Sequence, residues 1–402
     1  MSSFRCQCGF AFKCRVWPNH CRCGIKHDGP LDAKKIVAAA NTPKPKRNTV
    51  APWVADRVSL CGACEHQIDG ERCGVIAAKG KPGYLMHSRG IPNLLTHCPL
   101  NKWGIAKPFD RIGEVLLVTF HFNPLRYKRM RQTYFEWAPT LGPLRDHLQC
   151  YELVFDDDEP EIPGSIVIRG TREANWIWQK EAIVNRALRD ADASKRYVAW
   201  LDHDMVIDKP DWMERSVTMI DDGCPAVQMV GQLQYLDQQK QPSAPRTSGM
   251  KNFTTNGSTN GNPGGAWIAD RSFLESIGGL FDGNIVGGGD QCFFDGFIGK
   301  TGWHVTQYSD TLAACVENYV KRVTEACGER SGGYLDADVY HLWHGDRKDR
   351  QYGERNRILS ENDFDPSADV RINDAGILEW SSDKPGLHEA VRRYFEGRRE
   401  DG

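Results

Sequence analysis

Tyr197-Val198-Ala199-Trp200-Leu201-Asp202-His203-Asp204-Met205-Val206-Ile207-Asp208 decides how the rest of this 402-residue chain is read. Its first five residues are an apolar run with β-branched and aromatic members, charged before and after, the pattern of a short buried strand. The run stops at Asp202-His203-Asp204, and open α/β sheets place their ligands beyond the carboxyl ends of strands. Two carboxylates one residue apart repel unless a cation lies between them. Their hard oxygens suit magnesium or manganese, which in turn hold the phosphates of a nucleotide. A turn with two solvated acids fits the same letters, so the neighbouring stretches have to choose.

Upstream, Glu114–Phe120, Tyr151–Phe155 and Ser165–Ile168 read as strands, while Arg126–Trp137 and Trp176–Arg189 read as helices. Alternation of this kind predicts a mostly parallel sheet covered on both faces, an α/β fold. The basic start of the first helix, Arg126–Arg131, reads as a solvated face. Downstream come a helix over Asp211–Ile220 and a strand over Ala226–Val230. Gln232–Gly265 is polar and rich in Gly, Asn, Ser and Thr, a length that marks a lid or binding loop. Order resumes with a strand opened by Gly264-Gly265 and a helix over Arg271–Ile277. Gly287-Gly288-Gly289-Asp290 lets backbone approach a ligand while one carboxylate points at it; Asp290 also fits the N-cap of a following helix. His341 and His344 are competing candidate ligands, and Leu387–Phe395 has a helical pattern.

The front of the chain has another character. Residues 1–110 hold 17 Lys+Arg against 7 Asp+Glu, net +10, and the remainder 34 against 46, net −12. A basic front on an acidic body suits an anionic partner such as nucleic acid. Nine of the 14 cysteines fall within the first 98 residues. With no apolar leader and no run of membrane-spanning length, metal thiolates in a reducing cytoplasm fit better than disulfides. Cys6, Cys8, Cys21 and Cys23 form two Cys-x-Cys-Gly turns, a plausible tetrahedral zinc site, in which Cys14, His20 or His27 can replace a ligand. Cys61, Cys64, Cys73 and Cys98 make a second set, zinc or, given the Cys98-Pro99 ending, iron–sulfur. The expected organisation is a zinc-ribbon-like module at 1–40, a basic proline linker at 41–50, a four-cysteine metal module at 51–110 and a catalytic domain at 111–402.

Four blocks in order resemble the GT-A glycosyltransferases, most closely the β-1,4-galactosyltransferase and polypeptide N-acetylgalactosaminyltransferase branch: Asp202-His203-Asp204, Gly264-Gly265 through Phe281, Gly288-Gly289-Asp290, and His344-Gly345-Asp346-Arg347-Lys348 with Arg355–Ile358. The resemblance covers roughly residues 195–360, extends weakly back to Glu114, and departs at Gly289, where the family has Glu. The cysteine-rich front lies outside it and is similar only to modules fused to bacteriophage enzymes. The resemblance implies a GT-A fold and a UDP-linked sugar donor lying along Phe120, Asn123, Arg126, Lys180, Asn185, Asp202, Gly264, Gly265, Trp267 and Gly288. It implies a manganese or magnesium ion on Asp204 and His344, with Asp202 near the ribose or the ion, and Asp290 as general base for an inverting transfer.

The acceptor stays open among a hydroxymethylated pyrimidine of phage DNA, a protein and a glycan. A nucleotidyltransferase would need a phosphate-cradling loop after the first strand, which Thr119–Pro124 is not. A nucleic-acid-binding zinc protein with an inactive body would not need Asp202, Asp204, Asp290 and His344 together. Purified protein is expected to carry about two tightly bound metal ions on its cysteines. Elemental analysis that finds neither zinc nor iron in folded protein contradicts both sites, and a brown colour assigns iron–sulfur to the second.

Overall fold

The computed structural model describes residues 105–402 and, ahead of them, the backbone of six short strands. The chain divides into two units, Met1–Pro99 and Leu100–Gly402. In the first, β1 (Ser2–Arg5) with β2 (Ala11–Cys14), β3 (Asn19–His20) with β4 (Lys26–His27), and β5 (Gln67–Ile68) with β6 (Arg72–Cys73) form three antiparallel pairs. The side chains of both cysteine clusters, those of Cys14, His20 and His27, and the 41–50 linker lie outside the described residues.

The second unit is built on β7 (Val115–Phe122), β8 (Leu148–Phe155), β9 (Ile166–Gly170), β10 (Tyr197–Leu201), β11 (Met205–Ile207), β12 (Ala226–Gln228), β13 (Gln232–Tyr235), β14 (Arg246–Thr247), β15 (Ala266–Asp270), β16 (Gly333–Tyr334) and β17 (Asp338–His341). Seven of these make one sheet in the order β16-β12-β15-β10-β7-β8-β9. Neighbours in it are parallel except β15, which runs against both β10 and β12. Every residue of β7 and β10 is buried, as expected of central strands covered on both faces. The helices that matter for the site are α1 (Lys128–Trp137), α2 (Lys180–Asp190), α3 (Trp212–Asp221), α4 (Gly249–Asn256), α5 (Gly289–Ile298), α6 (Asp310–Cys327) and α7 (Pro385–Gly397).

The sequence expectation of a mostly parallel α/β sheet therefore stands, with three differences. Gln232–Gly265 is not one open loop: β13, β14 and α4 lie inside it. Those strands join β11 and β17 in a second, four-stranded sheet ordered β11-β17-β13-β14. Strands of two to four residues, rich in Gln and Arg, carry too few apolar positions to show a period. The 18-residue helix α6 also went unread, although Leu312, Val316, Tyr319, Val320 and Val323 give it a buried stripe at helical spacing. Among the described residues no helix is long and apolar enough to cross a membrane.

An aromatic cluster ties the central strands to α5. Trp200 of β10 and Trp267 of β15 lie across the antiparallel ladder, rings nearly parallel with centroids 6.5 Å apart. Phe293 of α5 meets them edge-on at 5.5 and 5.0 Å, and Phe297 stacks on Trp267 at 5.9 Å. Beside them on α5, Gly296 allows α6 to come close; an added Cβ would lie 2.3 Å from Val323 Cγ1. The end of β10 is thereby fixed relative to the start of α5. Trp267→Ala is expected to lower unfolding free energy by about 3–5 kcal/mol in urea titration, because it leaves a cavity among rings already packed on each other.

Candidate active site

The loop after β10 is held at every residue that matters. Asp202 donates its backbone N–H to Gly265 O (2.9 Å), and Met205 donates to Asp202 O (3.1 Å). Thr119 Oγ1 donates to Leu201 O and Trp137 Nε1 to Met205 O, both at 2.8 Å. The chain then enters the second sheet as β11, antiparallel to β17 with Met205 opposite His341. That register sets Asp204 beside Leu342, whose N–H donates to Asp204 O at 2.8 Å. Sheet pairing, rather than sequence proximity, brings the histidines to the aspartate.

Two clusters result. In the first, buried Lys180 at the start of α2 places Nζ 2.7 Å from Asp202 Oδ1 and 2.7 Å from Asp290 Oδ2. Burial works against its charge, but the two carboxylates more than offset that, so its pKa is held above the usual lysine value. Glu181 follows it, buried, and burial beside Asp290 pushes its carboxyl pKa up to about 8 despite Lys180.

In the second cluster, Asp204, His341 and His344 converge, one ligand atom of each lying within 4.8 Å of the others. Asp204 Oδ2 is 2.6 Å from His344 Nε2 and 3.4 Å from His341 Nε2. Although burial opposes its charge, His341, His344 and Arg350 hold the Asp204 carboxyl well below the usual carboxylate range. His341 Nδ1 donates to Leu342 O (2.7 Å), which leaves Nε2 as a lone pair, and burial pushes its pKa down to about 3. His344 Nδ1 contacts Glu400, whose other oxygen accepts from Arg398 Nε at 2.5 Å. Burial and Arg350 work against a charge on His344, yet Glu400 and Asp204 on its two nitrogens raise its pKa. Arg350 lies 2.9 Å from His341 Nε2 and 2.8 Å from His344 Nε2. His344 Nε2 cannot donate to Asp204 and accept from Arg350 at once. A metal ion on Nε2 would take the place of that proton, and Arg350 would then turn its N–H groups to another acceptor.

One carboxylate and two imidazoles suit a first-row divalent transition ion, manganese among them, better than magnesium. Asp204 Oδ1 is moreover buried without a hydrogen-bond partner. Glu400 on the far nitrogen of His344 is the orienting carboxylate such ligands ordinarily have. The residues fit an ion. The set differs from the sequence expectation, in which His341 was a competitor of His344 and Asp202 a candidate ligand. His341 and His344 converge together, because β17 ends at one and the turn after it carries the other, whereas Asp202 faces Lys180.

Both clusters open on one cavity of about 500 Å³. Of the expected donor-lining residues, Phe120, Asn123, Lys180, Asp202, Gly264, Gly265 and Gly288 line it, as do Asp204, Asp290 and His344. Three do not. Arg126 pairs with Asp158 at 3.3 Å. Asn185 is buried against the turn after the helix Arg271–Ser276, bonding Leu280 O and N at 2.8 Å and Asp282 at 3.2 Å. Trp267 is in the aromatic cluster with Nε1 on Pro263 O at 2.9 Å. Glycine is required where Asp290 meets the preceding loop, since a Cβ on Gly264 would lie 2.7 Å from Asp290 Oδ2. At Gly289, the position where the resemblance breaks, a Cβ would lie 2.4 Å from Glu181 Oε1. Sequence reading missed Glu181, Arg350 and Glu400; an acid beside Lys180 at a helix start was the one available hint.

No protein-family model matches the chain, and no curated protein matches it. Among solved structures, the catalytic domain of Drosophila β1,4-galactosyltransferase 7 in complex with xylobiose is 13% identical over 45% of this chain and 58% of that one, with a TM-score of 0.27. This chain thus spans little more than half of that domain. A mutant of the same enzyme with manganese, UDP-Gal and xylobiose is 9% identical over 68% and 98% of the two chains, TM-score 0.34. A mannosyltransferase from Pyrobaculum calidifontis in complex with GDP-Man and Mn2+ is 13% identical over 70% and 69%, TM-score 0.34. At such scores the site's own chemistry has to carry the function.

Calorimetric titration with Mn2+ is expected to show one site in the body. Asp204→Ala and His344→Ala should lose it and Asp202→Asn should keep it. Glu400→Gln should weaken it about 10–100-fold, with thermal melts confirming that each variant is folded.

Proposed function

We propose that the chain is a metal-dependent glycosyltransferase that takes a sugar from a nucleotide-sugar diphosphate and passes it, with inversion, to an acceptor hydroxyl. The observation that carries this reading is the opening of two different clusters on one cavity. One is a set of ion ligands, Asp204, His341 and His344, and the other a carboxylate, Asp290, held by Lys180. A bound divalent ion would supply Lewis acidity, offsetting the charge that develops on the leaving diphosphate. Arg350 and Arg355, also on the cavity wall, add cationic donors for phosphate oxygens.

Lys180 fixes Oδ2 of Asp290 and leaves Oδ1 to accept the proton of an attacking hydroxyl. The same ammonium holds Asp202, so donor side and acceptor side are set at a fixed separation. An attack guided by Asp290 on the anomeric carbon, opposite the departing diphosphate, inverts that carbon. The preferred donor is UDP-linked. The acceptor in this reading is a polymer, with hydroxymethylated DNA favoured by the net +10 of residues 1–110.

The test is diphosphate release from a panel of nucleotide sugars, crossed with hydroxymethylated DNA, plain DNA, a glycan and no acceptor. Release from one sugar nucleotide, abolished by chelation of the body's ion and restored by Mn2+, is the expected result. Asp290→Asn should keep donor affinity and slow transfer by about 10²–10⁴-fold. Native-rate transfer by that variant, or a product that retains the donor's configuration, removes Asp290 from the role of base.

A further inference from the structure

We propose that Glu181 is the residue that recognises the transferred sugar, by hydrogen bonding a hydroxyl of the donor's sugar ring; this rests on the nucleotide-sugar reading above. Glu181 is 3% exposed, and the surface it retains faces the cavity. Its neighbours do not satisfy it. Lys180, the adjacent cation, is bound at 2.7 Å by Asp202 and Asp290. A buried carboxyl without a partner from another residue costs free energy that a ligand hydroxyl recovers on binding.

The surroundings are built around this side chain. Gly289 has no Cβ, and one there would lie 2.4 Å from Glu181 Oε1 and 2.5 Å from its Cδ. Glu181 thus takes the space that a side chain at 289 would need. Asp202, Asp290 and Cys292 are the other titratable groups whose charge bears on it, besides Lys180. With two carboxylates already sharing one ammonium, a third is most stable protonated, and burial has the same effect, its pKa being about 8. A neutral carboxyl both donates and accepts, which matches a sugar hydroxyl and repels no diphosphate. It lines the same cavity as Asp202 and Asp290. For these reasons the donor's ring is its ligand.

Calorimetry on the full chain with Mn2+ tests this, using UDP, UDP-glucose, UDP-galactose, UDP-N-acetylglucosamine, UDP-N-acetylgalactosamine and GDP-mannose. Wild type should bind one sugar nucleotide more tightly than its nucleoside diphosphate. Glu181→Ala should lose roughly tenfold or more for that sugar nucleotide while its affinity for the nucleoside diphosphate stays unchanged. Glu181→Gln, which still donates and accepts, should remain within about threefold of wild type. The proposal is overturned if Glu181→Ala binds the sugar nucleotide as wild type does. It is equally overturned if nucleoside diphosphate affinity falls in parallel, which marks a structural role, or if only acceptor KM changes. Binding of none of these nucleotides by wild type would instead remove the nucleotide-sugar reading itself.

Discussion

A single buried ammonium, Lys180 between Asp202 and Asp290, is the contact on which the arrangement of this site depends. It joins the end of a central strand to the start of α5, and neither carboxylate would be stable there without it. Removing one partner of a buried ionic group generally costs several kcal/mol, because the survivor is left uncompensated. Both partners are held independently by backbone: Asp202 by Gly265, Asp290 by the glycine-rich turn that begins α5. The aromatic cluster of Trp200, Trp267, Phe293 and Phe297 then makes the separation of those two backbones rigid. Packing fixes the distance and the ammonium fixes the charge.

The ion-ligand cluster is organised differently. Its members stand at 204, 341 and 344, braced by 350 and 400, and no local pattern links them. What unites them is the second sheet, in which β11 and β17 pair so that Met205 faces His341. One strand slipped by one residue would turn Asp204 away from both imidazoles. The large sheet therefore sets Asp290 and its ammonium, and the small sheet sets Asp204 beside the two histidines. The cavity lies where both deliver side chains.

How much of this was legible follows from those distances along the chain. Buried strands such as Tyr197–Leu201 announce themselves by composition, and glycines before an acid announce a close approach, so Asp202, Asp204, Gly264, Gly265 and Asp290 could be picked out by reading. His344 came through resemblance. His341 was seen but cast as its rival, since spacing cannot reveal a strand register. Arg350 and Glu400 had no visible signal and Glu181 only its place beside Lys180, because a polar residue on a helix or in a tail reads as solvated until a partner surrounds it. Asn185 and Trp267 failed for the opposite reason: both are buried close to the site, yet their hydrogen bonds serve the backbone. The second sheet was invisible because its strands, two to four residues long, are too short to show a period of two.

The segment after α7 packs onto the turn that carries His344. Glu400 meets the imidazole, Arg129 N–H donates to Asp401 at 2.7 Å, and a Cβ at Gly345 would lie 2.6 Å from Arg399 O. The orientation of His344 therefore depends on a residue 56 positions further along the chain. Loss of Glu400 would free the imidazole to turn while leaving the large sheet, which shares no residue with this contact, in place.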